Sequence, residues 1–179
     1  MHAPTDLAEA AVVQPASFDF EATFRSDYGR IARVIVRVID DPARAEELAV
    51  EAFWKLWRNP RAQGKAYRGW MYRTAVRLAL DEFRRRARRA RREQLLTFVR
   101  TPRTPDELFS EAEEQGRVRT VLAAMLPRQA ELLLLRSDGY PYDELAGSLS
   151  LNPASVGTLL SRAKQAFRKE YVKRYGEQH

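Results

Sequence analysis

Residues 70–92 read WMYRTAVRLALDEFRRRARRARR, a stretch that predicts an amphipathic helix beginning with aromatic residues and ending in arginine. Seven of its last nine residues are arginine. Residues 59–92 contain twelve Lys or Arg and only two acids, whereas the whole chain has a net charge of +7. The rest of the chain is therefore slightly acidic. So dense a basic segment is typical of a surface that binds phosphate, either on nucleic acid or on an anionic membrane.

Aromatic residues at the start of this stretch favour nucleic acid over lipid. Tyr67, Trp70 and Tyr72 stand among the basic residues. Aromatic rings beside arginines can stack on unpaired bases while the arginines neutralise the backbone. The sequence therefore predicts an interface for nucleic acid with exposed bases.

Composition excludes several classes of function. A chain of 179 residues with 45% hydrophobic content can form the cores of two small helical domains. It has no cysteine, which excludes disulfides and thiolate zinc sites, and its two histidines stand at positions 2 and 179. We therefore expect no enzyme activity, no cofactor and no metal site.

The expected location is the cytoplasm. No apolar run approaches the roughly 20 residues that span a bilayer. The first residues, MHAPTDLAEAAVV, lack the basic start of a signal peptide. We expect no membrane insertion.

The residues before the basic stretch predict two more helices. Residues 1–17 are expected to form a flexible N-terminus. From Phe18 a helical stripe follows, and Asp41 as N-cap with Pro42 at the first helical position opens the next helix. With the basic helix, expected from about residue 69, they form a predicted domain over residues 18–92. The predicted core positions are Phe20, Phe24, Ile31, Ile35, Val38, then Ala45, Leu48, Ala49, Ala52, Phe53, Leu56, then Met71, Ala75, Leu78, Ala79 and Phe83.

A linker is predicted over residues 93–115. Its sequence RTPRTP at residues 100–105 neither continues a helix nor supplies a core. Thr104 and Glu107 have capping-box spacing around Pro105, so a new helix should begin there.

The last third of the chain predicts a helix-turn-helix domain over residues 116–175. Pro127 opens a helix that Gly139 ends, and residues 142–149 form a short helix. Asn152 then caps the final helix, which Pro153 begins. The two helices are joined by about three residues, the spacing of a DNA-binding helix-turn-helix. The predicted core positions are Val118, Val121, Leu122, Met125, Leu126, and then Val156, Leu159, Leu160, Ala163 and Phe167.

The predicted fold class is all-α, with two small helical domains joined by a linker and the second a helix-turn-helix domain, winged-helix-like without the wing. Alternatives stay open from the residues alone. The second domain fits a plain helical hairpin, and the chain fits a stand-alone helix-turn-helix regulator. A helical adaptor whose arginines bind RNA or anionic lipid is a third possibility. A hydrolase has the least support, because the chain is poor in His and Cys.

Three segments in this order resemble a bacterial RNA polymerase sigma factor of the extracytoplasmic-function type. AEELAVEAFWKLW, residues 45–57, is similar to the helix that docks on core polymerase. GWMYRTAVRLALDEFRRR, residues 69–86, is similar to the helix that engages the melted minus-10 element. LPRQAELLLLRSDGYPYDELAGSLSLNPASVGTLLSRAKQAFRK, residues 126–169, resembles the reader of the minus-35 duplex.

This resemblance implies the partners and the site residues. The partners are core RNA polymerase and promoter DNA, and an anti-sigma factor is a further partner that the family allows. The docking residues it implies are Glu46, Glu47, Leu48, Glu51, Phe53 and Trp54. For minus-10 DNA they are Tyr67, Arg68, Trp70, Arg73, Arg77, Arg84, Arg85 and Arg88. For minus-35 DNA they are Ser155, Thr158, Ser161, Arg162, Lys164 and Arg168.

Some positions depart from the family pattern. Val50 stands where the docking helix commonly has glutamine, and Arg77 where the melting helix commonly has asparagine. Gly157 and Leu159 replace usual basic residues of the recognition helix. Fewer basic contacts imply weaker reading of the minus-35 element or a different motif. We also expect at least one of Trp54 and Trp57 to lie in the core.

Overall fold

A computed structural model describes residues 18–96 and 107–176. Within these ranges the regular structure is helical, which confirms the all-α class. Two short 3-10 turns lie at Pro60–Ala62 and Pro153–Ser155. The helices are α1 (Phe20–Ile39), α2 (Pro42–Trp57), α3 (Tyr67–Leu96), α4 (Glu107–Ala124), α5 (Pro127–Ser137), α6 (Tyr142–Leu149) and α7 (Val156–Tyr175).

Some predictions fall outside the described residues. The flexible N-terminus at residues 1–17 and the Thr104 cap both do so. Helix α3 extends to Leu96 and α4 begins at Glu107, so helices enter the predicted linker from both sides.

Capping residues fix the ends of α1 and α2. The Asp19 carboxylate accepts a 2.9 Å hydrogen bond from the Ala22 N–H at the start of α1. Asp40 ends α1 in the left-handed region, with φ of 54°. Asp41 then accepts a 3.0 Å bond from the Arg44 N–H, and Pro42 opens α2. The predicted Asp41 cap is confirmed.

Helices α1, α2 and α3 pack together as the first helical unit. Every predicted core position of α2 is buried. Phe20 and Phe24 are only half-buried, because they pack at the edge of the unit against Phe53, with ring centroids 6.2 and 4.8 Å from it. The core of the first unit is therefore closed by an aromatic cluster at one edge.

Helices α4 to α7 form the second helical unit, and its turn has the predicted form. The Asn152 side chain accepts a 3.0 Å bond from the Ala154 N–H. Val156, Leu160 and Ala163 are buried on α7, as predicted, whereas Leu159 and Phe167 of the same predicted stripe are half-buried. The first turn at Pro153 is a 3-10 turn, so the α-helix itself begins at Val156. Leu126, predicted in the core, is 68% exposed, because α4 has already ended at Ala124 and Leu126 caps α5 with extended backbone.

The two units pack against each other through α3, which contacts α4, α5 and α6. This explains why α3 buries more than the predicted stripe: Tyr72, Val76 and Leu80 are also buried. The Tyr72 ring meets the Tyr140 ring edge-on with centroids 5.2 Å apart. Gly69 lies so close to α6 that a Cβ there would be 2.4 Å from the Ser148 Cα.

Candidate nucleic-acid interfaces

The outer face of α2 carries a pair of exposed tryptophans. Trp54 and Trp57 are each 53% exposed, and their ring centroids are 4.9 Å apart. The expectation that one of them lies in the core is therefore wrong. The core of α2 is filled by smaller residues and Phe53, and the tryptophans project beside them. Val50, 51% exposed, extends the apolar patch. We call Val50, Trp54 and Trp57 the tryptophan patch.

The predicted docking residues divide between this surface and the core. Glu46 and Glu47 are exposed and Glu51 is half-buried. Leu48 and Phe53 are each 1% exposed, so they hold α2 in place and offer no surface to a partner. Val50 and Trp57 complete the patch, and neither was among the predicted docking residues. The sequence feature that indicates the patch is the i, i+3 spacing of the two tryptophans, which places both rings on one face of α2.

The start of α3 is held by one carboxylate of α1. The Tyr67 hydroxyl donates a 2.7 Å hydrogen bond to Asp27 Oδ2, and Arg68 Nε lies 3.3 Å from the same oxygen. Hydrogen bonding to Tyr67 and the charge of Asp27 raise the pKa of Arg68 above its ordinary value. Helix α3 begins at Tyr67, two residues before the start predicted at about residue 69, so Tyr67 and Arg68 belong to the helix. Trp70, two residues after Arg68, is half-buried.

Two predicted minus-10 arginines are bound by the second unit. Arg77 Nε donates to Glu131 Oε1 of α5 at 2.6 Å. Arg84 Nε donates to the Ala123 carbonyl at the end of α4 at 2.7 Å. Arg73, one turn before Arg77 on α3, is half-buried, and this burial lowers the pKa of Arg73 below its ordinary value, an effect that neighbouring Arg77 reinforces.

Beyond Arg77 and Arg84, the arginine run divides into paired and free side chains. Arg85 and Arg86 both contact Glu82, at 2.7 and 3.0 Å. Arg88 is exposed and has no ion pair within the described residues. Burial raises the pKa of Glu82, but hydrogen bonds from Arg44 and Arg86 lower it by more, so it lies below its ordinary value. The basic run is thus anchored at Glu82, and beyond it Arg88 is exposed without such a pair whereas Arg89 pairs with Glu93 at 2.9 Å.

The second unit presents a polar and basic face on α7. Thr158, Ser161 and Arg162 are exposed on it, opposite the buried stripe, and Ser155 is half-buried at its start. Arg162, together with Lys164 and Arg168, forms no ion pair within the described residues. A helix face of this kind can place short side chains and one guanidinium at base edges while lysines contact phosphate.

Gly157 leaves room on this face. A Cβ at Gly157 would lie 3.7 Å from the Tyr142 ring, an ordinary contact distance. The glycine at this position is therefore not required by packing. Its effect is to remove a side chain from the first turn of α7.

Among the described residues, no helix has the length and hydropathy to cross a lipid bilayer. The same parts of the chain contain no group of three or more acids or histidines placed to hold a metal ion.

Comparison with known proteins places the two units. Residues 23–89 match the model of sigma-70 region 2, and residues 115–167 match the model of sigma-70 region 4. The chain is 24% identical over 178 residues to the ECF RNA polymerase sigma factor SigE of Mycolicibacterium smegmatis, covering 97% of this chain and 69% of that protein. It is 26% identical over 175 residues to the ECF RNA polymerase sigma factor SigK of Mycolicibacterium vanbaalenii, covering 93% of this chain and 89% of that protein.

A solved structure is also similar. The sigma factor RpoE in its co-crystal structure with the anti-sigma factor NepR, from Bartonella quintana, has a TM-score of 0.48 and 15% sequence identity, covering 85% of this chain and 96% of that one. Because the two family models together match most of the 179 residues, in the order of the predicted segments, the chain belongs to the sigma-70 family of RNA polymerase sigma factors and is of the extracytoplasmic-function type.

Proposed function

We propose that this protein is an alternative sigma factor that binds core RNA polymerase and directs it to promoters with separate minus-10 and minus-35 elements. The observation that carries the proposal is the combination of three surfaces in one chain. The basic helix α3 follows the exposed tryptophan patch, and a helix-turn-helix with an unpaired basic face lies beyond it. A stand-alone regulator has no use for the tryptophan patch.

The proposed division of labour follows the chain. Residues 18–92 form a region-2-like domain, 93–115 a linker and 116–175 a region-4-like domain. The exposed residues of α2 bind core polymerase, with Trp54 at their centre, because exposed aromatic patches are typical of protein interfaces. Phe53 and Leu48 support that helix from the core.

Helix α3 is proposed to hold the melted minus-10 strand. Trp70 offers a ring on which an unpaired base can stack, and Tyr67 and Arg68 flank it. The arginines that follow are proposed to bind backbone phosphates, with Arg88 unpaired and accessible.

Helix α7 is proposed to enter the major groove of the minus-35 duplex. Ser155, Thr158 and Ser161 would contact base edges or phosphates, and Arg162 would bond guanine. Lys164 and Arg168 would bind the backbone. Sigma factors as a class are not enzymes, and we propose that this chain catalyses no reaction, since RNA synthesis belongs to the polymerase. Its proposed place of action is the cytoplasm, where bacterial polymerase and promoter DNA are found.

The test is run-off transcription of the host's genomic DNA by sigma-free core polymerase, with and without this protein, followed by sequencing of the RNA 5′ ends. New start sites that share two upstream motifs are the expected result. If no new starts appear while the protein alone binds a duplex site tightly, the stand-alone regulator replaces this proposal.

A further inference from the structure

An open cavity of about 330 Å³ lies between α1 of the first unit and the turn that follows α5 in the second. Arginines of one helix and side chains from two facing elements line it. They are Arg30, Arg33 and Arg37 on α1, with Tyr72 of α3 and with Asp138 and Tyr140 of the turn. We call this space the arginine cavity. None of its three arginines is among the residues proposed above to bind polymerase or DNA.

The arginine cavity has an excess of positive charge. Its three guanidinium groups meet one carboxylate in the lining, that of Asp138, so two positive charges there have no counter-charge. Arg37 is paired with Asp138. Arg30 and Arg33 are both exposed, and neither forms an ion pair within the ranges 18–96 and 107–176. Their donors are therefore available to an anion.

The spacing of the three arginines is unfavourable for α1 by itself. Positions 30, 33 and 37 are three and four residues apart, so their side chains are neighbours on one face, and like charges at this spacing destabilise a helix. Arg37 stands in the last turn of α1, where the helix dipole favours a cation, but Arg30 and Arg33 precede that turn. An anion bound among the three would remove the repulsion.

The wall that faces the arginines is partly buried. The Arg30 guanidinium lies over the Tyr140 ring, 5.8 Å from its centroid, a contact that leaves N–H donors of Arg30 available. Burial raises the pKa of the Tyr140 hydroxyl, although the charge of Arg30 opposes this. Burial likewise raises the pKa of the Asp138 carboxyl. Because this wall is poorly hydrated, charges in the cavity interact more strongly than on an open surface.

The size of the cavity and its donors fit a small phosphorylated anion. A volume of about 330 Å³ is typical of small-molecule sites. A guanidinium is a planar fork that donates two parallel hydrogen bonds to a phosphate. A nucleic-acid strand fits less well, because it needs a groove that is open along its length, whereas Asp138 and Tyr140 bound this cavity opposite α1.

We propose that the arginine cavity binds a small anion with two or more phosphate groups, either an inorganic oligophosphate or a nucleoside polyphosphate. Arg30 and Arg33 supply the available donors, and the paired Arg37 lies beside them. A ligand at this place contacts both helical units, since α1 belongs to the first and Tyr140 to the second. The site does not depend on the function proposed above, because it uses other residues.

Calorimetric titration of the full chain with inorganic triphosphate tests the site. The buffer contains no divalent cation and salt at about 0.15 M, where exposed charges more than ~8 Å apart are largely screened. Arg33→Gln removes a guanidinium that has no ion pair in the described parts of the chain, so the fold should be kept. The variant should bind triphosphate at least about tenfold more weakly, because a charge-assisted contact is lost.

Arg25→Gln is the matched control. Arg25 is an exposed arginine on the same helix, outside the cavity, and its pair with Glu21 lies at the surface and should contribute little stability. The helix rises ~12 Å between Arg25 and Arg33, more than the screening length. Triphosphate binding should be unchanged in Arg25→Gln. Equal losses in the two variants would overturn the site, and so would the absence of binding to the natural chain at about 1 mM triphosphate.

Modification by phenylglyoxal locates the ligand in the natural chain, without any substitution. The reagent reacts with accessible arginines, and mass spectrometry of the peptides identifies the modified positions. Bound triphosphate should slow the modification of Arg30 and Arg33 and leave the rate at Arg25 unchanged. Equal rates at Arg30 and Arg33 with and without triphosphate would overturn the proposal.

The same titration with ATP and with a single-stranded DNA oligonucleotide distinguishes the sources of phosphate. Tighter binding of ATP than of inorganic triphosphate identifies a nucleoside polyphosphate as the ligand, and equal or weaker binding of ATP identifies an inorganic oligophosphate. Either result supports the proposal. If the oligonucleotide binds and depends on Arg33 while triphosphate does not bind, the three arginines belong to a nucleic-acid surface and the proposal is overturned.

Discussion

At the residue scale, the arginines of α3 have different roles, which depend on the group that each guanidinium contacts. Arg84 caps α4, because its Nε binds the Ala123 carbonyl and a terminal nitrogen lies 3.5 Å from the Met125 carbonyl. Arg88, four residues on, is exposed without an ion pair in the described parts of the chain. The amino-acid sequence alone does not distinguish Arg84 from Arg88. Only the packing of the units separates a structural arginine from one available to DNA.

Arg84→Ala and Arg88→Ala should therefore affect different properties, the first stability and the second DNA binding. The first leaves carbonyls at the end of α4 without a donor, so the free energy of unfolding should fall by about 1–2 kcal/mol. The second should leave stability unchanged and reduce the slope of log affinity against log salt by about 0.7–0.9, one phosphate contact. Urea unfolding and a salt titration of promoter binding by the holoenzyme measure the two effects. Equal salt slopes for wild type and Arg88→Ala would remove Arg88 from the phosphate contacts.

Glu82 makes the stability of the first unit depend on pH. Its pKa is below the ordinary value in the folded chain because Arg44 and Arg86 hydrogen-bond it. A carboxyl of this kind stabilises the fold above its unfolded pKa of about 4.3, and the contribution is lost as the pH falls through the lower folded value.

The corresponding variant is Glu82→Gln. It should cost about 1–3 kcal/mol of unfolding free energy at pH 7 and progressively less toward pH 3. Urea unfolding at a series of pH values measures this. Glu144→Gln, at an exposed position, is the control and should show no such trend. A difference between Glu82→Gln and wild type that persists undiminished at low pH would contradict the assignment.

Arg162 carries the prediction for sequence reading. Arg162→Ala should weaken promoter binding by about 1–3 kcal/mol if the guanidinium bonds a base, and the loss should vanish on a promoter already changed at that base pair. Transcription from wild-type and single-base-pair variants of the minus-35 element measures this. Lys173→Ala, exposed at the far end of α7, is the control. A uniform loss on all minus-35 sequences would make Arg162 a phosphate contact.

At the element scale, α2 was predictable almost residue by residue and α3 was not. The Asp41 cap, the Pro42 start and the buried stripe of α2 are all local signals, and each is confirmed. For α3 the periodic pattern correctly indicated Met71, Ala75 and Ala79, but the predicted Leu78 and Phe83 are only half-buried. Tyr72, Val76 and Leu80 are buried instead, on a neighbouring face. That second face is covered by helices distant in the chain, which a local pattern cannot reveal. The roles of the site residues themselves remain predictions.

The tryptophan patch of α2 yields a prediction at this scale. Trp54→Ala with Trp57→Ala should weaken binding to core polymerase by about 2 kcal/mol or more, because exposed aromatic residues dominate interface energies. Unfolding free energy should change far less, since both rings are 53% exposed. Titration of labelled protein with core polymerase measures the affinity. Tyr175→Ala, an exposed aromatic on α7, is the control, and equal affinities for both variants would exclude the patch from docking.

At the scale of the whole molecule, the two helical units, which the sequence predicts as separate domains, pack directly against each other. Arg119 of α4 illustrates this, because its guanidinium lies 2.8 Å from Asp40 and its Nε donates to the Arg37 carbonyl at the end of α1. Arg77 and Arg84, which were predicted to bind DNA, likewise join the two units. The order of the segments was readable from the sequence, whereas their mutual packing was not.

The close approach of Gly69 to Ser148 has a kinetic consequence. If core polymerase binds the two helical units apart from each other, this contact must first break. The separation of the units is a unimolecular event, so its rate does not depend on the concentration of polymerase. If this step precedes docking, the observed association rate should level off as core polymerase is raised, at the rate of separation. When two sigma factors compete for a limited amount of core polymerase, such a chain would bind more slowly than one that needs no rearrangement. This holds even if the two complexes dissociate equally slowly.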